Sequence, residues 1–290
     1  MTLIHRRGVL RGLLGAGPVL QAQGPAPATG RRIIDTHVYV SRWPARRMKG
    51  DETPELVDIL AQAGVSEAWA GSFEALLFKD TAAVNARLAE ECERHGRGLL
   101  VPFGAINPKL PAWEEQLARC EERFGMPGIR LHPNYHHYTL RDPDFVHLFQ
   151  AAADRGLIVQ IAAWMEDERC QIPLMRVPAV DLTPLPELLE RFPKAKAMVL
   201  NGFISVQRAP ALSPFTRSSR VAFDFAMLDG LAELRNLAGA AGIERVVFGS
   251  YSPMFYLESA LLKVQEAALS AAETELVFAA NARRLLPRVR

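Results

Sequence analysis

Hydrophobic positions along the chain follow two alternating patterns after residue 30. Short runs are almost entirely apolar, as in residues 157–163 (LIVQIAA) and 245–249 (RVVFG), and such runs suit parallel strands buried on both faces. Between them lie segments with helical spacing, such as the stripe of Leu231, Leu234 and Leu237. The predicted strands are Ile33–Val40, Val65–Ala70, Leu99–Ile106, Gly128–His132, Leu157–Ala162, Ala197–Asn201, Val221–Phe225 and Arg245–Gly249.

The intervening helices carry start signals. At four places a residue with a capping side chain precedes proline, which is tolerated at the first helical position because that N–H has no intrahelical partner. Residues Glu74–Arg94 and Trp113–Phe124 are also predicted to be helical. The four pairs are Thr53-Pro54, Asp142-Pro143, Thr183-Pro184 and Ser252-Pro253.

Eight strand–helix units in about 260 residues match the (β/α)₈ or TIM barrel of the α/β class. A doubly wound open sheet is the competing fold, but it is more often marked by a glycine-rich turn after the first strand. Here the first strand runs into Tyr39–Trp43 (YVSRW), which contains no glycine. We therefore expect one barrel domain over residues 29–290, with long connections at Trp164–Asp181 and Phe203–Ser219 over its mouth.

Residues 1–28 are predicted to be a twin-arginine export signal. Arg6 and Arg7 precede a short apolar stretch, Val9–Leu20, and a tail rich in glutamine, alanine and proline follows. The alternative is a frayed basic N-terminus. The signal predicts a bacterial protein that is periplasmic or otherwise exported, with the twin-arginine machinery as a partner.

Composition narrows the classes of function. The chain has 290 residues, 49% of them hydrophobic, and a formal charge of +2, which argues against disorder and against a nucleic-acid-binding surface. No apolar run approaches the ~18 residues that a membrane span needs, so no membrane association of the mature form is expected. The three cysteines, Cys92, Cys120 and Cys170, do not make a disulfide framework. The oligomeric state stays open.

Four short motifs carry a resemblance to a known family. Ile34–Tyr39 (IDTHVY) resembles a D-x-H-x-H first strand, Gly128–Pro133 (GIRLHP) a G-[VI]-[KR]-x-H-P strand, and Phe248–Pro253 (FGSYSP) an F-G-S-D-x-P strand. Phe278–Leu285 (FAANARRL) is similar to a terminal helix of the same family. This is the second amidohydrolase family, which includes aminocarboxymuconate-semialdehyde decarboxylase and the pyrone-dicarboxylate lactonases. The resemblance spans residues 33–286 and implies a TIM barrel with its site at the carboxyl ends of the strands.

The sequence departs from the metal ligands that the resemblance implies. Members of the family bind a divalent ion through two histidines of the first strand, one at the fifth strand and an aspartate at the eighth, and often use a histidine after the sixth as base. Only His37 matches, because the other positions hold Tyr39, Gln160, Asn201 and Tyr251. We therefore expect no high-affinity metal and no cofactor. A substitute site among His132, His136, His137 and His147 is the alternative.

The strand ends predict a pocket for a small carboxylated or oxygenated molecule. His37 or Asp224 would act as general base on water, while Arg130 or His132 would polarise a carbonyl group. Asp35 and Asp224 have the alternative role of capping loops or pairing with arginines. The predicted catalytic residues are Asp35, His37, His132 and Asp224, and the predicted substrate-binding residues are Tyr39, Arg130, Tyr135, Gln160, Arg169, Asn201 and Tyr251.

Three functions are compatible with this pocket. The favoured hypothesis is metal-independent hydrolysis of an ester or lactone, by analogy with the family's lactonases. A non-catalytic exported binding barrel is the second, and a hydrolase or decarboxylase with unconventional metal ligands is the third. No Gly-x-Ser-x-Gly elbow or phosphate loop is present, which argues against serine hydrolase and nucleotide chemistry.

Overall fold

The computed structural model describes residues 32–167, 169–203, 212–217 and 220–287. The predicted export signal at residues 1–28 lies outside the described residues, as does part of the connection after the sixth strand. Within the described ranges, no helix is both long and apolar enough to span a bilayer.

Parallel strands and helices alternate along the chain. Strands β1–β2–β3 form one hydrogen-bonded group and β4–β5–β6–β7 a second, and every neighbouring pair is parallel. The bounds are β1 Ile33–Val40, β2 Val65–Ser72, β3 Leu100–Pro102, β4 Gly128–Leu131, β5 Ile158–Ala162, β6 Lys196–Leu200 and β7 Val221–Phe223.

Short bonded segments join the two groups into a closed ring. Gly104 donates its N–H to Gly128 (3.1 Å) and accepts from the N–H of Arg130 (2.7 Å), which links β3 to β4. Val247 donates to Phe223 (3.0 Å), and Thr36 donates to Phe248 (2.9 Å), so the segment after β7 connects back to β1. The predicted TIM barrel is confirmed.

The eighth position of the ring is irregular, although a strand is predicted at Arg245–Gly249. This segment makes only isolated bridges, Phe223 with Val246 and Val38 with Ser252. A side chain explains part of the irregularity, because the Asp35 carboxyl group accepts the N–H of Ser250 at 3.0 Å. A buried side chain thus satisfies a backbone donor that a regular ladder would pair with backbone.

The helices pack around the strands, and three of the four proline pairs lie within one residue of a helix start. Only Asp142-Pro143 has the predicted cap and first positions, and none of the three starts has the predicted side-chain capping bond. The pair Ser252-Pro253 does not start a helix; its peptide bond is cis, and the next helix begins at Leu257. Leu231 precedes its helix and is 82% exposed, so Leu234 and Leu237 alone form the buried stripe. The helices are α1 Thr53–Gln62, α2 Thr81–His95, α3 Trp113–Glu122, α4 Pro143–Asp154, α5 Leu185–Arg191, α6 Glu233–Ala241, α7 Leu257–Glu266, α8 Ala271–Glu275 and α9 Asn281–Leu285.

The predicted helix Glu74–Arg94 is divided into a 3₁₀ turn, Phe73–Leu76, and α2. The division arises because Asp80 caps α2: its carboxyl group accepts the N–H of Ala83 at 2.9 Å, which starts a new helix there. The turn lies directly after β2 and therefore holds Phe73 at the carboxyl end of the barrel.

Apolar layers enclose the barrel on both ends. Ile34, Trp69 and Met198 belong to one cluster with Ala282 and Leu285 of α9. A second cluster gathers residues from the strand ends and their connections: Tyr39, Trp43, Phe73, Leu76, Ala162, Met165, Ala226, Tyr251 and Met254. The polar side chains of the candidate site lie beside this second cluster.

Candidate active site at the carboxyl ends of the strands

A histidine and an aspartate from distant strands meet inside the barrel. His37 Nδ1 on β1 lies 2.5 Å from Asp224 Oδ2, just after β7, and both side chains are fully buried. The other oxygen of Asp224 accepts the N–H of Asn201 at 2.7 Å. Since backbone holds the aspartate and the aspartate holds the imidazole, His37 has a fixed orientation.

The second ring nitrogen of His37 is available for chemistry. His37 Nε2 is buried and has no hydrogen-bond partner among the described residues. Burial lowers the pKa of His37 to about 4, although Asp224 opposes the shift. The imidazole is therefore neutral at pH 7, and a proton on Nδ1 directed at Asp224 leaves the lone pair of Nε2 free.

The pKa of Asp35 is shifted in the direction opposite to that of His37, although burial is the main cause of both shifts. Its Oδ1 accepts two backbone N–H groups, from His37 (3.1 Å) and Ser250 (3.0 Å), whereas its Oδ2 is buried without a partner among the described residues. Burial raises the pKa of Asp35 to about 7. Asp35 thus braces β1 against the eighth position of the barrel.

Tyr39 and His132 form a second pair. The Tyr39 hydroxyl group lies 2.8 Å from His132 Nε2, and burial raises the pKa of Tyr39 to about 12, so the phenol stays protonated. Burial also holds the pKa of His132 well below its ordinary value. If Tyr39 donates to Nε2, His132 carries its proton on Nδ1, which is buried and unpartnered among the described residues.

Arg130 directs its guanidinium group into the barrel wall. Nε donates to Gln160 (2.8 Å), Nη1 to the Val38 carbonyl (2.6 Å), and Nη2 to the Trp69 carbonyl (2.8 Å). The guanidinium carbon lies 4.6 Å from the centre of the Tyr39 ring. Arg130 thus lies beside the other predicted site residues, but its donors bind protein groups rather than face a ligand.

Two of the predicted binding residues have unusual backbone conformations. Asn201 (φ 52°) and Tyr251 (φ 60°) both adopt the left-handed region, which asparagine enters readily but which is rare for a bulky side chain such as Tyr251. The Tyr251 ring stacks on His37 with ring centres 4.5 Å apart, and its hydroxyl group donates to the Met165 carbonyl at 2.5 Å. Such strain persists only where the surroundings enforce it, and it is concentrated at functional sites.

Two predicted binding residues, Tyr135 and Arg169, lie outside the group of fully buried side chains. Tyr135 is half-buried and packs at the edge of the cluster that contains Tyr39. Arg169 is 83% exposed and pairs with Asp167 at 2.7 Å. The local pairing two residues away accounts for its surface position, so it is not brought together with the buried side chains.

The donors present do not fit a divalent metal. Within the described residues, no group of three or more histidine, cysteine, aspartate or glutamate side chains converges. The substitute histidine set is dispersed, since His136 binds the Ala75 carbonyl at 2.8 Å while His137 and His147 are exposed. A catalytic zinc site takes about three such ligands, a set that this arrangement lacks.

A family model described as "Amidohydrolase" matches residues 34–288. The chain belongs to this amidohydrolase family. The expectation from the four motifs is thereby confirmed for the family and for the TIM-barrel fold. No curated protein sequence matches the chain significantly.

Several solved structures have a fold similar to that of this chain. The 5-carboxyvanillate decarboxylase of Sphingomonas paucimobilis has 15% identity and a TM-score of 0.67, over 88% of this chain and 99% of that one. The 2,6-dihydroxybenzoate decarboxylase of Rhizobium has 13% identity and a TM-score of 0.68, over 88% and 98%. A TIM-barrel protein of Bordetella bronchiseptica has 16% identity and a TM-score of 0.64, over 88% and 98%. At these identities the likeness is one of fold.

Three residues beside the candidate site were not among the predicted catalytic or substrate-binding residues. Phe73 stacks on Tyr39, with ring centres 4.4 Å apart, and the sulfur of Met165 lies 3.6 Å from the Tyr39 hydroxyl group. Gly71 leaves room for Arg130, because a Cβ atom there would lie 2.8 Å from Arg130 Cδ. The strand-end rule that selected the polar residues applies equally to Phe73, and a search that included apolar strand-end residues would have found it.

Proposed function

We propose that this amidohydrolase hydrolyses a small ester or lactone without a metal, with His37 as the general base. The observation that carries the proposal is the Nδ1–Asp224 bond of 2.5 Å together with an unpartnered Nε2. A neutral imidazole oriented by a carboxyl group is the arrangement that accepts a proton from an attacking water. The left-handed backbone at Tyr251, whose ring stacks on His37, supports a functional rather than structural reason for this geometry.

His132 and Tyr39 supply the electrophilic half of the proposed site. A neutral His132 with its proton on Nδ1 donates a hydrogen bond to the carbonyl oxygen, which gains negative charge as water attacks. Tyr39 fixes that tautomer through its 2.8 Å bond to Nε2. Arg130 positions Tyr39, because its guanidinium group lies over the Tyr39 ring and is bonded to the wall of the barrel.

The charges of the site favour an uncharged substrate. Arg130 donates to Gln160 and to backbone carbonyl groups, and Arg169 pairs with Asp167 at the surface, so neither supports capture of a carboxylate. We therefore propose a neutral, oxygen-rich ester or lactone. A carboxylated substrate is the less favoured member of the same class.

A hydrolysis screen with a matched variant tests this proposal. The protein and its His37→Gln variant are assayed with lactones and activated esters, with metal content measured on the same samples by plasma mass spectrometry. We expect turnover by the parent, none by His37→Gln, and less than about 0.1 metal ion per chain. His147→Gln is the control, since His147 is exposed on α4 beside Trp113. One metal ion per chain, removed together with activity by a chelator, would overturn the metal-free mechanism.

A non-catalytic binding barrel is the second candidate, and closure of the site favours it. His37, Tyr39 and Tyr251 are 0% exposed, and Met165 in the connection after β5 contacts both tyrosine hydroxyl groups. Either role requires this connection to open for a ligand, but hydrolysis also requires water to reach His37 Nε2, which is buried. Thermal stabilisation by a lactone without product formation would favour the binding role.

We propose export by the twin-arginine machinery, on the basis of Arg6 and Arg7 in the amino-terminal segment. The test is fractionation of cells that express the full chain or the Arg6→Lys, Arg7→Lys double variant. We expect the parent in the periplasmic fraction and the variant in the cytoplasm. Equal distribution of the two proteins would favour the frayed basic N-terminus instead.

A further inference from the structure

A second cavity lies beside the barrel mouth and is not part of the proposed catalytic site. Its volume is about 460 Å³, and it lies between the connection after β1 and the second half of α2. We name it the side cavity; Val40, Phe73, Leu77, Phe78 and Leu88 form its apolar wall. Its volume lies in the range typical of small-molecule sites.

The apolar wall of the side cavity reaches the protein surface. Leu77 is 50% exposed and Phe78 is 53% exposed, and both belong to the small set of large apolar side chains that are exposed in the described part of the chain. Phe73, by contrast, is fully buried and stacks on Tyr39. The cavity is therefore open to solvent on one side and separated from the barrel centre by an aromatic ring on the other.

The charges around the side cavity do not balance. Three of its acidic residues are neutralised: Asp51 pairs with Arg47 (2.6 Å), Glu52 with Arg42 (3.0 Å between Oε1 and Nε), and Glu74 with Arg87 (2.7 Å). Glu91 of α2, half-buried in the wall, has no ion pair or side-chain hydrogen bond with any described residue. Arg87, one helical turn before Glu91, is committed to Glu74. One carboxylate thus remains without a counter-ion.

We propose that the side cavity binds an organic ammonium compound with an apolar body. Glu91 supplies the counter-charge for the ammonium group, and Phe78, Leu77 and Leu88 contact the body. An unpaired carboxylate beside an apolar wall selects a cation over a neutral molecule and repels an anion. This site is separate from the proposed hydrolase, and its binding test needs no turnover.

Three probes that differ only in their head group test the charge selection. Calorimetric titrations use 4-phenylbutylammonium, 4-phenylbutan-1-ol and 5-phenylpentanoate, each with four methylene groups between the ring and the head group. We expect the ammonium compound to bind about fivefold more tightly than the alcohol, the size of a partly exposed ion pair, and the carboxylate to bind most weakly. Equal affinities, tightest binding of the carboxylate, or no binding of any probe would overturn the proposal.

Variants assign the binding to this cavity. Glu91→Gln is expected to abolish the preference for the ammonium compound over the alcohol. Glu93→Gln removes the same charge from an exposed position of the same helix that does not line the cavity, and it should preserve the preference. Phe78→Ala should weaken both probes. If Glu91→Gln keeps the preference, or Phe78→Ala leaves both affinities unchanged, the probes bind elsewhere and the proposal fails.

Discussion

The centre of the barrel and the side cavity meet at Phe73 but satisfy their polar groups differently. In the centre, polar side chains are buried and bonded to one another, as His37 is to Asp224 at 2.5 Å. In the side cavity, Glu91 is half-buried without a partner among the described residues, and Phe78 is 53% exposed. A substitution in the centre must therefore disturb both chemistry and stability, whereas one in the side cavity should alter ligand binding alone.

The largest expected effect is that of Asp224→Asn on hydrolysis. The amide has a single acceptor oxygen, and when that oxygen keeps the bond from the Asn201 N–H, the NH₂ group faces His37 Nδ1 and donates to it, so the tautomer that leaves Nε2 free is lost. We expect kcat to fall by about 10³- to 10⁴-fold, measured on the lactone or ester that the parent turns over best. Folding is checked by circular dichroism. Retention of more than a tenth of the parent rate would remove Asp224 from the mechanism and leave it a structural role.

Arg130→Met should have the largest effect on stability. It removes the donors that bind the Val38 and Trp69 carbonyl groups and leaves those buried acceptors without partners. Each buried acceptor left unsatisfied costs about 1 to 3 kcal/mol, so we expect the two carbonyl groups together to lower the free energy of unfolding, measured by urea denaturation, by about 2 to 6 kcal/mol. Arg169→Met, at a side chain that is 83% exposed, should change it by less than about 0.5 kcal/mol. Equal stabilities of the two variants would contradict the structural role of Arg130.

Much of this arrangement follows from sequence patterns. β1 has the predicted bounds, because its apolar run and its flanking residues leave no ambiguity. The rule that strand ends carry the site locates His37, Asp35, His132 and Asp224 before any distance is known. All four side chains are buried, and His37 contacts Asp224 through its ring and Asp35 through its backbone N–H, while their catalytic roles stay predictions.

Other features depend on contacts that no local pattern contains. The error at Arg169 is of another kind, because its partner Asp167 is only two residues away along the chain. The irregular eighth position results from the bond between Asp35 and Ser250, which are 215 residues apart. The use of the Arg130 donors by backbone carbonyl groups likewise depends on how closely β1, β2 and β4 approach each other.

The pH dependence of stability tests how completely the barrel centre excludes water. Burial raises the pKa of Asp35 from its ordinary value of 3.8 to about 7, so the folded protein holds this proton more tightly than the unfolded chain. Its contribution favours folding fully below about pH 4 and is lost as the pH rises through 7. The pKa of His37, lowered from 6.5 to about 4, acts oppositely, because stability rises from pH 4 to 6.5.

Asp35→Asn isolates the first of these contributions, since His37 is present in both proteins. The free energy of unfolding of the variant minus that of the parent should increase by about 3 to 4 kcal/mol between pH 4 and 8, because one pKa unit corresponds to about 1.4 kcal/mol. Urea denaturation at several pH values gives this difference. A difference that stays constant with pH would mean that water reaches Asp35 in the folded state.

The smallest expected effect on stability is that of Gly71→Ala, because Gly71 lies directly against the Arg130 side chain. A Cβ atom at Gly71 would lie 2.8 Å from both Cδ and Nη1 of Arg130, whose guanidinium group cannot retreat without breaking its bonds to the wall. Gly71→Ala should therefore lower the free energy of unfolding by about 1 to 3 kcal/mol, measured by urea denaturation. Gly239 of α6 is the control: a Cβ atom there would have nothing within 4 Å, and Gly239→Ala should stabilise the protein by about 0.5 to 1 kcal/mol.

A double variant identifies the clashing atom. In the Arg130→Met background the destabilisation by Gly71→Ala should be smaller, because the guanidinium group that the new Cβ atom would contact is absent. An undiminished cost in that background would mean that the added Cβ atom clashes with a residue other than Arg130, and would contradict this explanation.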